Sequence, residues 1–493
     1  MSRINTNVPS LIAQRVLGSQ NRGLNTSLQR LSTGFRINRG ADDPAGLIAS
    51  ENLRSEKAAI NAAIGNAQRA EQVVNVAEGG LQEINALLVE LQSLVGATAN
   101  EAGVSDEEKE ANQLQIDSIL QTIDRVANST SFQGSKLLNG NFDYTTSGVD
   151  STSITDVSVN SARLSDAANS YISVTVDVTQ SAQTGAVYFQ TSTQLNNSGN
   201  GSITIEITGT KGVQQFTFAS GSAIGDVVNA VNTFSDALGV SATIATGTTN
   251  ASTRIELRSQ TYGSSEFIRA KVLEGTSSDL FATSATAALT SSDLKDFGRD
   301  ASVLINGNAA TSDGLTARVA TDGFDVEITL DGTSSLNGTN QTSSFDINGG
   351  GADFNLAPKV NLASKVSLGI ETVTTGNLGD GVDGFLSALK SGGTANVING
   401  DLTKAQTIVD NAIKQTSSLR GRLGAFTKNV VGATIRNLGV TLENTSAAES
   451  EIRDTDFASE TAELTRRQIM AQAASQSLSL ANTQPQSVLS LLG

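Results

Sequence analysis

One stretch of heptad periodicity constrains this fold more than any other feature of the chain. Apolar or small side chains recur every seven residues from Leu53 to Val95, and a second row follows most of them three residues later. Such a pattern predicts a long helix with one apolar seam, and the small residues in its first half let a partner helix approach closely. Asp43 followed by Pro44 predicts its N-cap and first residue.

A helix from about Pro44 to Thr98 would span roughly 80 Å at ~1.5 Å per residue, so its single seam needs a partner. Ser105 to Glu108 is typical of a capping box that starts a second, antiparallel helix. Heptads resume after residue 400, and Ser446 to Glu449 predicts a further helical start or a bend. We expect the seam to form mainly a core within the chain. Its members are Leu53, Ile60, Val74, Leu81, Leu88, Leu423 and Leu438.

Residues from about 145 to 397 have a different composition, rich in Thr, Ser, Gly and Asn. Polar and apolar residues alternate in 171–178 and 202–208, which predicts strands, and 223–232 predicts one helix. The spacing of turn signals suggests two β-rich units, divided near residues 285–297. The expected fold class is therefore α+β: a discontinuous α-helical coiled-coil rod built from both chain ends, with a β-rich central insertion that forms outer domains.

Composition removes most enzyme classes. The 493 residues contain no His and no Cys, which excludes Ser–His–Asp catalysis, imidazole bases, thiolate nucleophiles and cysteine or histidine metal sites. The net charge of −16 argues against binding to nucleic acid or to an anionic membrane surface. Paired carboxylates such as Asp42 and Asp43 fit helix caps better than a metal or acid–base site. We therefore expect no catalytic residue, no metal and no cofactor.

No run of roughly 18 apolar residues predicts a membrane helix, and the first twenty residues lack the apolar core of a cleaved secretory signal. The chain is expected either to stay in the cytosol or to leave by a route that needs no such signal.

The two chain ends have opposite charge. Residues 1–40 contain six arginines and no acid, whereas residues 443–463 contain seven acids and one arginine, and residues 468–493 carry no charge. This asymmetry predicts that the ends pair with each other. The residues expected to carry that pairing are Arg15, Arg22, Arg30, Glu460 and Glu463.

Two terminal helices alone cannot close an apolar core, so their stripes indicate a protein partner. The partner expected is another copy, and a head-to-tail contact that does not close produces a helical fibre. The residues predicted at this subunit interface are Leu11, Val16, Leu24, Leu28, Leu31, Leu464, Ala471, Leu478, Leu489 and Leu492.

Both ends of the chain resemble one protein family. Residues 29–47, QRLSTGFRINRGADDPAGL, are similar to the N-terminal signature of bacterial flagellins. Residues 448–458, AESEIRDTDFA, and 481–492, ANTQPQSVLSLL, are similar to the C-terminal signature. Within the insertion, residues 298–307 and 322–329 resemble, more weakly, a short flagellin insert module.

This resemblance implies a non-enzymatic subunit that polymerises into the flagellar filament, outside the cell, after export by the flagellar type III apparatus. It implies as partners other copies, flagellar cap and hook-associated proteins, and an export chaperone at the C-terminal region. In the family, the stretch matching 34–46 is the linker between channel-lining and wall helices. Its residues of interest are Gly34, Arg36, Asn38, Asp42 and Asp43.

The implied domains are residues 1–43 as channel-lining helix and linker, and 44–145 as wall helices. They continue with two outer β-rich domains, the wall helix of the C-terminal half and the final channel-lining helix: 146–290, 291–397, 398–450 and 451–493. The many Ser and Thr residues within 146–397 make O-linked glycans a further expectation. Three alternatives stay open: a hook–filament junction protein of the same superfamily, a coiled-coil surface adhesin that displays the insertion, and an enzyme carried on the insertion.

Overall fold

The computed structural model describes residues 6–100, 103–165, 170–190, 195, 201–246, 253–274, 281–282, 291–332 and 341–489. The α-helices of this part of the chain, in order, are α1 Val8–Thr33, α2 Pro44–Thr98, α3 Asp106–Ser129, α4 Ile224–Thr233, α5 Ser235–Leu238, α6 Leu402–Ala425, α7 Gly432–Arg453 and α8 Phe457–Leu489. Helices therefore occupy both ends of the chain, as the sequence predicts. None of these helices is both long and apolar enough to cross a membrane.

The strands fall almost entirely between α3 and α6. In chain order they are β1 Ser131–Phe132, β2 Ser135–Lys136, β3 Thr145–Ser147, β4 Ile154–Ala162, β5 Ile172–Gln180, β6 Ala186–Gln190, β7 Ser202–Thr208, β8 Val213–Ala219, β9 Val240–Thr246, β10 Thr253–Ser259, β11 Phe267–Glu274, β12 Phe281–Ala282, β13 Asp293–Phe297, β14 Ser302–Ile305, β15 Asn308–Ala309, β16 Thr311–Asp313, β17 Thr316–Thr321, β18 Phe324–Leu330, β19 Gln341–Gly349, β20 Ala352–Asn355, β21 Lys365–Leu368, β22 Gly379–Asp380 and β23 Gly384–Phe385. The α+β class and the β-rich insertion are confirmed.

The chain divides into two compact bodies. The first consists of residues 1–71, 355–360 and 427–493, and the second of 72–354 and 361–426. In the first body, α7 packs on the opening turns of α2: Ile60 and Ala63 are buried against Leu438. Lys57 Nζ lies 2.6 Å from a carboxylate oxygen of Glu449 on the same face.

In the second body, α2 continues beside α3 and α6. Asn112, near the start of α3, donates to Thr98 at the end of α2 at 3.2 Å. A Cβ on Gly80, further back along α2, would meet the side chain of Thr130 just after α3. The start of α3 therefore lies beside the end of α2, and the end of α3 lies beside an earlier part of α2. This makes α3 antiparallel to α2, as predicted. The side-chain amide of Gln92 in α2 donates to a carboxylate oxygen of Asp410 in α6 at 2.6 Å.

The predicted helical seam is buried within the chain along nearly all of its length. Leu53 is half-buried, and Leu438 is 7% exposed. The other members have no exposed surface and are Ile60, Val74, Leu81, Leu88 and Leu423. At ~2 kcal/mol or more per fully buried aliphatic side chain, this seam is a main source of stability for the helices.

The predicted helix starts are correct at two places. Asp43 accepts a bond from the Gly46 amide at 2.9 Å, with Pro44 as the first residue of α2. Ser105 caps α3 by accepting from the amide of Glu108 at 3.3 Å.

The start predicted at Ser446 is wrong, because residues 446–449 lie inside α7, which runs to Arg453. The break comes at residues 454–456, and Asp456 caps α8 by accepting from the Ala458 amide at 2.9 Å. The domain boundary predicted between residues 450 and 451 therefore falls within a helix. A capping box pattern inside a helix carries no cap when its Ser is already in helical conformation.

A π-helical turn, Phe426–Val431, joins α6 to α7. The extra residue of such a turn shifts the heptad by about one position. Val431 is consequently buried, while Val430, which the uninterrupted heptad assigns to the seam, is only half-buried.

The strands build two separate cores, and the chain segment that forms the second is inserted within the segment that forms the first. The flanking β unit consists of the sheets β15-β14-β5-β19-β3 and β16-β17-β18-β4 around one cluster that includes Val176 and Phe345. The nested β unit consists of the sheets β12-β6-β10-β9 and β13-β11-β7-β8 with α4, around a second cluster that includes Phe189 and Val227. Gln183 and Arg299 exchange backbone hydrogen bonds at 2.9 and 2.8 Å where the chain enters and leaves the nested unit.

This nesting replaces the predicted division near residue 290 into 146–290 and 291–397. β4 pairs with β18, and β5 pairs with both β14 and β19, so strands on each side of that division share sheets. The alternation of polar and apolar residues shows which face of a strand is buried, and it carries no information about which strand pairs with which.

Candidate assembly surface

The two chain ends form one antiparallel helix pair, α1 with α8. The Asn7 amide donates to the carbonyl of Ala481 at 2.8 Å, and near the opposite end of the pair Arg30 lies 3.5 Å from Glu460. Small side chains let the two helices approach closely. In the described part of the pair, the buried residues are Ser10, Ser27, Ala474 and Ala481. The larger apolar side chains of these two helices are therefore only partly covered or exposed.

The residues predicted at the subunit interface separate into those that the helix pair covers and those that it leaves open. The half-buried ones are Leu24, Leu31, Leu464, Ala471 and Leu478. Leu11, Val16 and Leu28 are 58%, 41% and 46% exposed. The side chains of Leu489 and Leu492 lie outside the described residues. The first group therefore contributes to pairing within the chain, and the second group is free to contact another molecule.

Sequence reasoning missed several exposed apolar side chains of the same pair. Ile469 and Leu480 are 62% and 68% exposed, and Val8 and Met470 also lie on the surface. An open apolar groove of about 600 Å³ runs between α1 and α8. Its lining includes Ile12, Ala13, Val16, Met470, Ala473 and Ser477. For the residues on α8, the signal that could have identified them is the absence of charge after residue 467.

Among the residues that the structure describes, the predicted charge pairing between the chain ends is formed by Arg30 and Glu460 only. Glu463 instead pairs with Arg466 and Arg467, both at 3.0 Å. These arginines lie one turn further along α8, which is the closest position from which a helical side chain can reach a carboxylate.

Arg22 donates to the carbonyl of Gly18 in its own helix at 3.3 Å. Neither Arg15 nor Arg22 forms an ion pair with any residue that the structure describes. The prediction that Arg15, Arg22 and Glu463 also pair between the chain ends is therefore wrong for the described residues.

The predicted linker residues lie between α1 and α2, where residues 34–43 are not helical. Gly34 ends α1 in the left-handed region, with φ of 76°, a conformation that glycine adopts without steric cost. The amides of Asn38 and Arg39 donate to one carboxylate oxygen of Asp42 at 3.0 and 2.8 Å. These two amides lower the pKa of Asp42 below its usual value.

The linker is tied to the break between α7 and α8. The Arg36 amide donates to the carbonyl of Arg453 at 2.7 Å, and the Thr455 amide donates to the carbonyl of Gly34 at 2.9 Å. The Arg453 guanidinium lies 4.5 Å from the ring centre of Phe35. The two interruptions of the helices therefore form one joint with backbone bonds in both directions.

A carboxylate-lined cavity of about 330 Å³ lies in the second body, between β4 and α6. Asp143, Asp156 and Glu371 contribute to its wall, and Arg422 lies 3.2 Å from Glu371. Burial raises the pKa of Asp143, and the negative charge of Glu371 raises it further. No group of three or more acidic side chains among the described residues is arranged to hold a metal ion.

Comparison with known proteins gives the family of both chain ends. The bacterial flagellin N-terminal helical region matches residues 4–143, and the bacterial flagellin C-terminal helical region matches residues 406–492. The chain is 30% identical to the B-type flagellin of Pseudomonas aeruginosa and 27% identical to flagellin A of Helicobacter pylori, with 99% of both sequences covered in each case.

Among solved structures, the D2–D3 domains of the flagellar cap protein from Serratia marcescens are similar over 39% of this chain and 97% of that chain. The sequence identity is 17% and the TM-score is 0.27, which is too slight a likeness to bear on function.

Proposed function

The chain belongs to the bacterial flagellins, the structural subunits of the flagellar filament, and we propose that the α1/α8 pair is the surface through which its subunits contact one another. It is a structural protein and not an enzyme. Two features of the pair support this role. Both chain ends are helical, and the two helices leave several of their apolar side chains exposed.

The observation that carries the proposal is the exposure of Leu11, at 58%, on the same helix pair as Ile469 and Leu480. Burying apolar surface contributes about 25 cal/mol per Å², so a row of such side chains favours association. We infer that a second copy of the chain covers these side chains. The family resemblance supports this, because a filament repeats the same contact between neighbouring subunits.

The remaining parts of the chain are assigned from the family resemblance. α1 and α8 line the channel, α2, α3, α6 and α7 form the wall, and the two β units face outwards, where Ser and Thr residues of 146–397 could carry glycans. Export through the flagellar type III apparatus, a chaperone at the C-terminal region, and contacts with cap and hook-associated proteins complete the proposal. The filament places the subunit outside the cell.

The test compares two residues of equal exposure. Leu11→Ser should raise the critical concentration for polymerisation severalfold, because each subunit contact loses apolar area. Val213→Ser, at an equally exposed position on β8 (58%), should leave it unchanged. Sedimentation of polymer across a concentration series measures both. Equal effects of the two substitutions would contradict the assignment of the interface to α1/α8.

A deletion series separates the roles of the two regions. Removal of residues 1–30 should abolish fibres while circular dichroism still shows the helical signal of the wall helices. Removal of about residues 150–395 should leave polymerisation largely intact. Loss of assembly in the second deletion would show that the insertion takes part in the subunit contacts.

A further inference from the structure

The row of α8 residues that faces α1 contains one positively charged side chain between apolar neighbours, that of Arg467. Seven residues of α8 that lose surface are spaced alternately by four and three residues, which is the pattern of a helix seam. In order they are Glu460, Leu464, Arg467, Ala471, Ala474, Leu478 and Ala481. Glu463, which also loses surface, lies beside this row. Glu460 stands at the end of the row and pairs with Arg30, whereas Arg467 lies within it, between two apolar residues.

Arg467 fits in this row because of a glycine on the opposite helix. A Cβ built on Gly23 of α1 would lie 2.6 Å from Cζ and 3.2 Å from Cδ of Arg467, and it would overlap the Nη1 atom. In this conformation the guanidinium therefore occupies the space that a Cβ at position 23 would fill, and a larger residue there would require the Arg467 side chain to move. Arg467 Nε donates to Glu463 at 3.0 Å, which holds the group in this orientation.

We propose that Gly23 and Arg467 form a register key, which allows α1 and α8 to pair in one alignment and disfavours the alignments shifted by a heptad. A polar residue at a single seam position specifies register at some cost in stability. In this antiparallel pair, a shift of seven residues would place Arg467 opposite Val16 or opposite Arg30. Valine would fill the space that the guanidinium needs, and arginine would add a like charge at close range.

The alignment matters for assembly, and this consequence rests on the proposed function. A slip of seven residues moves one helix about 10 Å along the other. The groove between α1 and α8 combines side chains of both helices, so such a slip would change the surface offered to the next subunit. Gly23 and Arg467 are accordingly positioning residues, which act by aligning Ile12 and Val16 with Met470.

A double-mutant cycle with a matched control tests the key. Replacing a glycine by alanine inside a helix usually favours the helix by about fivefold in the folded-to-unfolded ratio. Gly18 lies in the same helix, and a Cβ there would meet nothing within 4 Å. Gly18→Ala should therefore slow amide hydrogen exchange in α1 about fivefold. Gly23→Ala should lose that gain when Arg467 is present and recover it in the Arg467→Ala background. An equal gain from Gly23→Ala in both backgrounds would overturn the proposal.

A cross-linking experiment reads the register directly, because the chain has no natural cysteine. The Ser10 hydroxyl lies 2.7 Å from the side-chain oxygen of Asn482, so Ser10→Cys with Asn482→Cys reports the native alignment. Ser10→Cys with Ser475→Cys reports the alignment shifted by seven residues. A short thiol-specific reagent should link only the first pair in the full-length chain. Adding Arg467→Leu should give links in both pairs. Links confined to the native pair in the Arg467→Leu chain would contradict the key.

The two proposals fail in different ways. If the full-length chain forms no polymer that depends on Leu11, the proposed interface is wrong, yet the exchange and cross-linking results still decide the register key in the soluble chain. If polymers form normally and the Gly23 and Arg467 substitutions act independently, the register key alone is wrong.

Discussion

The helices α2 and α8 follow similar patterns of small and apolar residues and reach opposite outcomes. Along α2, the seam from Ile60 to Leu91 has almost no exposed surface. Along the described side chains of α8, the buried residues are only Ala474 and Ala481, while Ile469 and Leu480 remain exposed. The difference lies in the number of partners, since α2 packs against α3, α6 and α7, whereas the one helix with which the described part of α8 makes extensive contact is α1. A seam with a third helix becomes a core within the chain, and a seam without one remains available for association.

The largest expected effect comes from the closed seam. Leu88→Ala should destabilise the folded chain by about 2–5 kcal/mol, because it leaves a cavity among fully buried side chains. Leu28→Ala, at a position on α1 that is 46% exposed, should change the stability by less than about 0.5 kcal/mol. Urea unfolding followed by circular dichroism at a concentration below that of polymerisation measures both. Similar losses at the two positions would break the distinction between a closed and an open seam.

A buried amide is the second test of the closed region. Gln113 of α3 is 1% exposed, donates to the carbonyl of Leu389 at 2.8 Å and accepts from the amide of Val397 at 2.9 Å. Gln113→Leu keeps a similar volume and leaves both backbone groups without their partner, so it should cost about 1–3 kcal/mol.

Gln115 provides the control for this substitution, since it is exposed on the same helix. Gln115→Leu should be close to neutral. If unfolding midpoints show the same small change for Gln113→Leu and Gln115→Leu, the amide does not fasten the segment from Leu389 to Val397 to α3.

Local signals in the sequence were sufficient to predict where two helices start. They were insufficient to predict which strands pair with each other. Asp43 and Ser105 each cap the helix that follows them, because a cap depends on residues only three positions apart. The strand β7 has the bounds expected from its alternation. Nesting of the β units was not predictable, because strand pairing joins residues as distant as 158 and 327, and alternation does not record that distance.

The candidate surface shows the same limit. Leu11 and Leu24 occupy one apolar stripe in the sequence, yet only Leu24 is half-buried in the structure. Which of them meets α8 depends on where the two helices cross, and the period alone cannot specify a crossing point. Position 23 carried no distinguishing signal either, because Gly18 lies in the same helix and a Cβ there would meet nothing within 4 Å.

The pH dependence of the second body tests its carboxylate-lined cavity. The pKa of Asp143 is raised in the folded state by burial and by Glu371, so the folded chain holds this proton more tightly than the unfolded chain. The resulting destabilisation is fully present above the folded pKa, shrinks as the pH falls through that pKa, and vanishes below the unfolded value of 3.8. Asp143→Asn should therefore stabilise the chain at pH 7 and have little effect near the unfolded pKa.

Asp150 provides the opposite case. Hydrogen bonds from Ser153 and Thr152 lower the pKa of Asp150, so its contribution is present above the unfolded pKa and is lost as the pH falls. Asp150→Asn should consequently destabilise the chain at neutral pH, where Asp143→Asn stabilises it. Thermal unfolding across the pH range compares them, and effects of the same sign at pH 7 would contradict the assigned environments.

The smallest effect is expected from the ion pair that joins the chain ends. The Arg30 and Glu460 side chains are 29% and 12% exposed, and their charged atoms lie 3.5 Å apart. A partly solvated pair of this kind contributes about 0.2–1 kcal/mol and weakens with added salt. Arg30→Gln should therefore slightly accelerate amide exchange in α1, and the difference should fade as the salt concentration rises. A large, salt-independent loss would mean that Arg30 acts by packing in the α1/α8 seam, which would place this end of the pair closer to the closed seam of α2 than its exposed leucines suggest.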